Sequence, residues 1–153
     1  MRYFEDVEIG EKQSFGSYEV TREEVMRFAE SYDPQPFHLD DEAASRTHFG
    51  RLSASGWHTC AMTMRMMVDN MKAHQQASLG SPGIDELRWK KPVYPGDTLR
   101  VETEVLEKRV SRSRPEMGFF KSRIVTFNQK DEPVLEMTSN GIMQVREPRR
   151  PEA

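Results

Sequence analysis

The sequence predicts an α+β domain in which antiparallel strands cover one long buried helix. Three observations carry that prediction. Apolar residues recur at i, i+3, i+4 and i+7 from Trp57 to Met71, the rhythm of a helix. Beyond residue 80 the apolar period drops to two, and Leu99, Val101, Thr103 and Val105 alternate with Arg100, Glu102 and Glu104. Ser81-Pro82-Gly83 parts the two regimes, and Pro95-Gly96-Asp97 sets a second turn just before the clearest strand. The 153 residues suit one domain over residues 1–145, able to bury roughly two thirds of its unfolded surface.

Each element has its own signal. Residues 11–20 partly alternate and are expected to form a first strand. Thr21 and Glu24 form a capping-box pattern that opens a helix, with Val25, Phe28, Ala29 and Tyr32 as its inward face. That helix should stop at Asp33, because the residue before Pro34 is pushed out of the α region. A short helix follows over residues 40–46 with Asp40 as N-cap. Ser55 and Gly56 open the long helix, whose inward stripe reads Trp57, Cys60, Ala61, Met64, Met67, Val68 and Met71. Met62 and Met66 add apolar bulk on another side, so much of its circumference is expected to be buried, with the methionines filling core gaps. Strands are expected at residues 119–127 and 134–145, joined by a hairpin loop over 129–133. The charged, proline-rich segment 146–153 reads as a disordered tail.

Composition narrows the function classes. A net charge of −3 gives no electrostatic case for nucleic acid. No run of about eighteen apolar residues occurs, so no membrane span is expected. The first residues lack an apolar run and carry acids early, so no secretion signal is expected. Cys60 is the only cysteine, which excludes an internal disulfide and suits a reducing, cytoplasmic compartment. Its place on the apolar stripe reads as a buried, inert thiol. The histidines at 38, 48, 58 and 74 lack close metal-ligand spacing, and no metal site is expected.

The most informative stretch is Tyr32-Asp33-Pro34-Gln35-Pro36-Phe37-His38. It sets a carboxylate and an imidazole on a short turn stiffened by two prolines. Two proton-exchanging side chains on a stiff loop suit general acid–base work on a small molecule such as water. The bland alternative is an ordinary Asp-Pro turn. The flanks favour chemistry. This segment resembles the signature of the MaoC-like dehydratases, or (R)-specific enoyl-CoA hydratases, which runs roughly Gly-Asp-x-Asn-Pro-x-His. Tyr32 replaces the glycine and Gln35 the asparagine, so a different substrate pocket is expected around the same acid–base pair. Ala54-Ser55-Gly56 stands where the family has Ala-His-Gly, and Pro92-Val93-Tyr94-Pro95-Gly96-Asp97-Thr98 resembles its Pro-Val-x-Pro-Gly-Asp-Thr element.

The resemblance implies a hot-dog fold, a curled antiparallel sheet around a central helix, over roughly residues 4–145. It implies reversible addition of water across the C2–C3 double bond of an enoyl-CoA, with the coenzyme A thioester as substrate and no separate cofactor. It also implies a homodimer with the acyl-CoA tunnel near the interface. Asp33 and His38 would hold the water between them, and which of the two takes its proton stays open at this level. The Gly56 N–H, at a helix start, is the candidate oxyanion donor, the alternative being a tolerated cap residue beside Ser55. A proline there would delete the donor at a position helix starts tolerate. Ser55, in place of the common histidine, reads as the loss of a polar neighbour. His58 reads as a packed rather than catalytic histidine, and Asp97 as a turn residue. Two rivals remain: a hot-dog thioesterase, which would want a carboxylate on the central helix where only Asp69 is available, and a non-catalytic acyl-CoA-binding relative.

Overall fold

The structure, a computed structural model, describes residues 1–149. After a 3₁₀ turn at Phe4–Asp6 come β1 (Lys12–Glu19), α1 (Arg22–Tyr32) and a second 3₁₀ turn at Pro36–His38. Then follow α2 (Asp41–Ser45), α3 (Gly56–Ala73), β2 (Gly83–Trp89), β3 (Thr98–Val110), β4 (Met117–Phe127) and β5 (Pro133–Gln144). The five strands form one antiparallel sheet in the order β1-β3-β4-β5-β2. The sheet curls around α3, which is the hot-dog arrangement.

The alternation predicted for β3 is the register that buries it. Leu99 and Val101 are fully buried and Val105 nearly so, while Glu102 is exposed. Leu99 and Val101 pack with Ile124 of β4, Leu135 and Met137 of β5, and Met62 and Met66 of α3 in the main core, and Val105 joins Phe4, Val7, Met143 and Val145 in a second cluster. Each such side chain contributes about 1.5–3 kcal/mol when taken fully out of water.

The long helix is buried on a different face from the one its apolar spacing predicts. Its buried residues are His58, Thr59, Met62, Thr63 and Met66. Trp57 and Met64 are 61% and 46% exposed, and Cys60, Met67, Val68 and Met71 are only partly covered. The cause is polar pairing inside. Thr63 Oγ1 and Thr126 Oγ1 lie 2.7 Å apart, so a hydroxyl-bearing face satisfies itself against β4. Apolar spacing centred the inward face on the Trp57–Met71 stripe, whereas the side carrying Met62 and Met66, also expected to be buried, is the one that packs inward. Cys60 is accordingly half-buried rather than buried, yet burial still pushes its thiol up, which keeps it protonated and unreactive.

Four further differences have local causes. Strand β2 escapes the period-two test because a register shift falls between Asp85 and Arg88, and Glu86 sits at φ 52°. Tyr32 is 77% exposed instead of inward, because it is the last residue of α1 and leans on Phe28 at 5.1 Å. Only half of the capping box forms. Thr21 accepts from the Glu24 N–H at 3.2 Å, whereas the Glu24 carboxylate accepts from the Tyr18 hydroxyl. At the other end, Arg146 and Glu147 are held by N–H bonds of 2.9 and 3.0 Å to the Glu5 carboxylate, although a disordered tail was expected from residue 146. Residues 150–153 of that segment lie outside the described residues.

Candidate active site

The site is assembled where α1 ends and α3 begins. Asp33 caps α1 at φ −150°, ψ 65°, outside the helical region, as a residue before proline must be. The chain folds straight back, with Gln35 N–H bonding the Asp33 carbonyl at 2.8 Å, and enters the 3₁₀ turn that carries His38. His38 is buried, with Phe37 edge-on at 4.6 Å and Phe49 at 5.8 Å.

The hydrogen bonds fix the state of each group. His38 Nδ1 lies 2.7 Å from the Ser53 carbonyl oxygen. A carbonyl can only accept, so Nδ1 carries the proton and Nε2 is the nitrogen free to exchange one. Nε2 faces Asp33 Oδ2 at 3.5 Å. That carboxylate also accepts from Ser55 Oγ at 2.7 Å and from Gln35 Nε2 at 2.6 Å. Burial pushes the Asp33 carboxyl up, but the Gln35 and Ser55 donors and the nearby His38 outweigh it, holding the group below the usual carboxylate range.

Gly56 is the first residue of α3, and its N–H finds no acceptor among the described residues. The N-cap position belongs to Ser55, whose hydroxyl would ordinarily bond into the first helical turn. Here that hydroxyl is committed to Asp33, and α3 has no side-chain cap. The helix start is therefore left with free N–H groups and a partial positive charge beside the carboxylate–imidazole pair.

Asp33, His38 and Gly56 line one cleft of about 420 Å³, with Phe49, Trp57, Trp89 and Val93 as its apolar walls. The three residues singled out from sequence are thus brought together. Four others in the site were missed. Ser55 was read as the loss of a histidine and Gln35 as a departure from the pattern, yet both donate to Asp33. The Ser53 carbonyl fixes His38, and backbone groups leave no trace in sequence. Trp89 belongs to the strand that the spacing test overlooked. Its indole lies against Gly56, where an added Cβ would be 2.6 Å from Cε2. The expectation that proline is tolerated at 56 fails for that reason.

His48, Lys90 and Lys91 also line this cleft, whereas His58, Tyr18 and Asp97 lie elsewhere. His58 is buried on another side of α3, its Nε2 3.5 Å from Glu24 Oε1 and its ring stacked on Phe28 at 4.7 Å. Its Nδ1 has no partner among the described residues. Burial pushes its basicity down, against the opposing pull of Glu24. Tyr18, on the same cluster, is pushed up to about 12 by burial and by its bond to the Glu24 charge. Asp97 accepts from the Tyr94 N–H and from Gln129, both at 3.0 Å, and so pins the turn before β3 to the β4–β5 hairpin. Among the described residues no group of three or more His, Cys, Asp or Glu side chains could hold a metal ion. None of the described helices is long and apolar enough to cross a membrane.

The family model described as MaoC like domain matches residues 5–124. The chain belongs to the MaoC-like family. YdeM, an uncharacterised protein of Bacillus subtilis, is 34% identical over 128 residues, 84% of this chain and 89% of that protein. A 3-hydroxybutyryl-CoA dehydratase of Methylorubrum extorquens is 29% identical over 152 residues, 99% of this chain and 87% of that protein. The crystal structure of a MaoC-like dehydratase from Rhodospirillum rubrum, 39% identical, superposes with a TM-score of 0.87 over 96% of this chain and 99% of that one. Two of these relatives are named as dehydratases.

Proposed function

We propose that this chain is a hydro-lyase that reversibly adds water across the C2–C3 double bond of an enoyl-CoA, or dehydrates the 3-hydroxyacyl-CoA. The observation that carries the reading is the convergence of Asp33, His38 and the free Gly56 N–H on one cleft. A water held between Asp33 Oδ2 and His38 Nε2 is oriented by two acceptors. An imidazole is intrinsically a stronger base than a carboxylate whose basicity is lowered by two donors, so Nε2 takes the water proton as oxygen bonds to C3. The electron pair of the double bond moves to C2 and on to the thioester oxygen, where the Gly56 N–H meets the growing charge. The Nε2 proton then passes to C2, and imidazole is regenerated. Asp33 stays ionised beside the transient imidazolium and stabilises it.

The coenzyme A thioester is substrate, and these steps call on no separate cofactor. A thioesterase is disfavoured because Asp69, the one carboxylate on α3, is exposed and bonded to Arg65 at 3.2 Å. A purely binding relative would have no use for a tautomer-locked imidazole beside a carboxylate. The reading includes a cytoplasmic homodimer. Strands β1 and β2 leave open sheet edges, and the half-covered face of α3 exposes Trp57 and Met64. Light scattering is expected to give twice the chain mass, and a monomer at working concentration sinks the dimer. The function is tested by incubating the protein with crotonyl-CoA and longer trans-2-enoyl-CoAs. Loss of the enoyl absorbance with formation of an (R)-3-hydroxyacyl-CoA is the expected result, and steady release of free coenzyme A would instead establish a thioesterase.

A further inference from the structure

We infer that Trp89 is the positioning residue for the oxyanion donor, an indole clamp that holds the Gly56 peptide at the start of α3. Its catalytic half rests on the hydration reading above. Trp89 is the last residue of β2, and its Nε1–H donates to the Gly56 carbonyl at 2.9 Å. The ring also presses on the glycine, with Cε2 and Nε1 at 2.6 and 2.7 Å from the place of a Cβ. Trp57 crosses it at 83° with centroids 5.2 Å apart, backing the indole from the next residue of the helix.

The need for a clamp follows from the site itself. Ser55 gives its hydroxyl to Asp33, so the first turn of α3 lacks the side-chain bond that ordinarily fixes a helix start. Glycine is the most permissive residue for backbone torsion. An oxyanion donor, in contrast, works only when it is held in place before the charge appears. A hydrogen bond to the Gly56 carbonyl restrains the torsion of the residue that carries the donor, and the indole body keeps water from one side of it. The glycine is itself explained by the clamp. Gly56 is not among the residues with positive φ, so it is required here for the space the indole occupies.

Two experiments on the full chain decide the matter. Trp89→Phe keeps the aromatic wall and deletes the N–H, so kcat for crotonyl-CoA hydration should fall about 3- to 10-fold, one neutral hydrogen bond's worth, with KM changed less than about twofold. Unchanged kcat, or a rise in KM alone, overturns the positioning role. The second is independent of activity. Gly56→Ala should lower Tm by about 3–10 °C in the wild-type background, as overpacking does, and by far less beside Trp89→Leu. Additive losses overturn the clamp. A wild-type protein that hydrates no enoyl thioester sinks the hydratase reading, while the Tm cycle still decides whether Trp89 holds Gly56.

Discussion

Among the described residues two carboxylate–imidazole pairs stand at the same separation in quite different surroundings. Asp33 and His38 lie 3.5 Å apart, and so do Glu24 and His58. The difference lies in the other atoms. His38 hands its second nitrogen to the Ser53 carbonyl, which decides its tautomer, and Asp33 accepts from Gln35 and Ser55, which keeps it ionised. His58 stacks on Phe28 with its second nitrogen unpartnered, and Glu24 turns to Tyr18. The first pair faces an uncapped helix start across a cleft. The second forms a seam between α1 and α3. Spacing between two titratable groups says little about function until the partners of every remaining atom are known.

That contrast is open to a direct break. Asp33→Asn and His38→Ala should each lower kcat by roughly 10²–10⁴-fold in a folded protein, with the double variant little worse than the poorer single one. Glu24→Gln, at the matching position of the other pair, should leave kcat within about threefold. Near-wild-type hydration by folded Asp33→Asn, or a collapse of kcat in folded Glu24→Gln, would reverse the assignment.

A smaller effect sharpens it. Ser55→Ala removes one of the two donors that keep Asp33 ionised and frees the N-cap position. One charge-assisted hydrogen bond is worth about 1.5–3 kcal/mol, so kcat should drop roughly 10- to 100-fold if the whole bond serves the ionised form. The sign for pH follows from the depressed Asp33 carboxyl. Its ionised form is favoured in the fold, so its contribution is present above the ordinary carboxylate value and is lost as pH falls through the lowered one. Removing a donor should move the acid loss of stability to higher pH in Ser55→Ala. A stability–pH curve whose acid side stays in place in Ser55→Ala shows that the hydroxyl does not tune Asp33.

The same contrast marks what the sequence reveals. Asp33 and His38 were legible because proline stiffens the turn between them, and Gly56 because it precedes a strong helical rhythm. The sheet was legible at β1, from the partial alternation of residues 11–20, and from β3 onward, where one face is buried and the other wet. The burial phase of α3 was not. Thr63 goes inward on a hydroxyl pair with Thr126, a partner 63 positions away that no local pattern announces. Trp89 was hidden for a related reason, since the irregular register of β2 breaks its alternation. Ser55 was visible but misjudged, because a small hydroxyl in place of an imidazole looks like loss until its 2.7 Å bond to Asp33 is seen.

The smallest effect belongs to the seam. Burial depresses His58 basicity, so the unfolded chain binds its proton more readily than the folded one. The stability tied to a neutral His58 is therefore intact above the unfolded imidazole value, about 6.5, and drains away as pH falls toward the lowered folded value. The Asp33 contribution drains away only in a more acidic window, below about 4, so the two pairs separate on a pH axis. His58→Phe keeps the stack on Phe28, removes the unpartnered Nδ1 and abolishes this titration, while Glu24 retains its bond from Tyr18. Stability at pH 7.5 should change by about 1 kcal/mol or less, because loss of the long Glu24 contact opposes relief of a buried unpaired nitrogen. Between pH 7 and 5 the variant should lose less Tm than the wild type, with kcat unchanged within about twofold. A wild-type and a His58→Phe protein that lose Tm in parallel over that range would show that the buried imidazole is not the titrating seam.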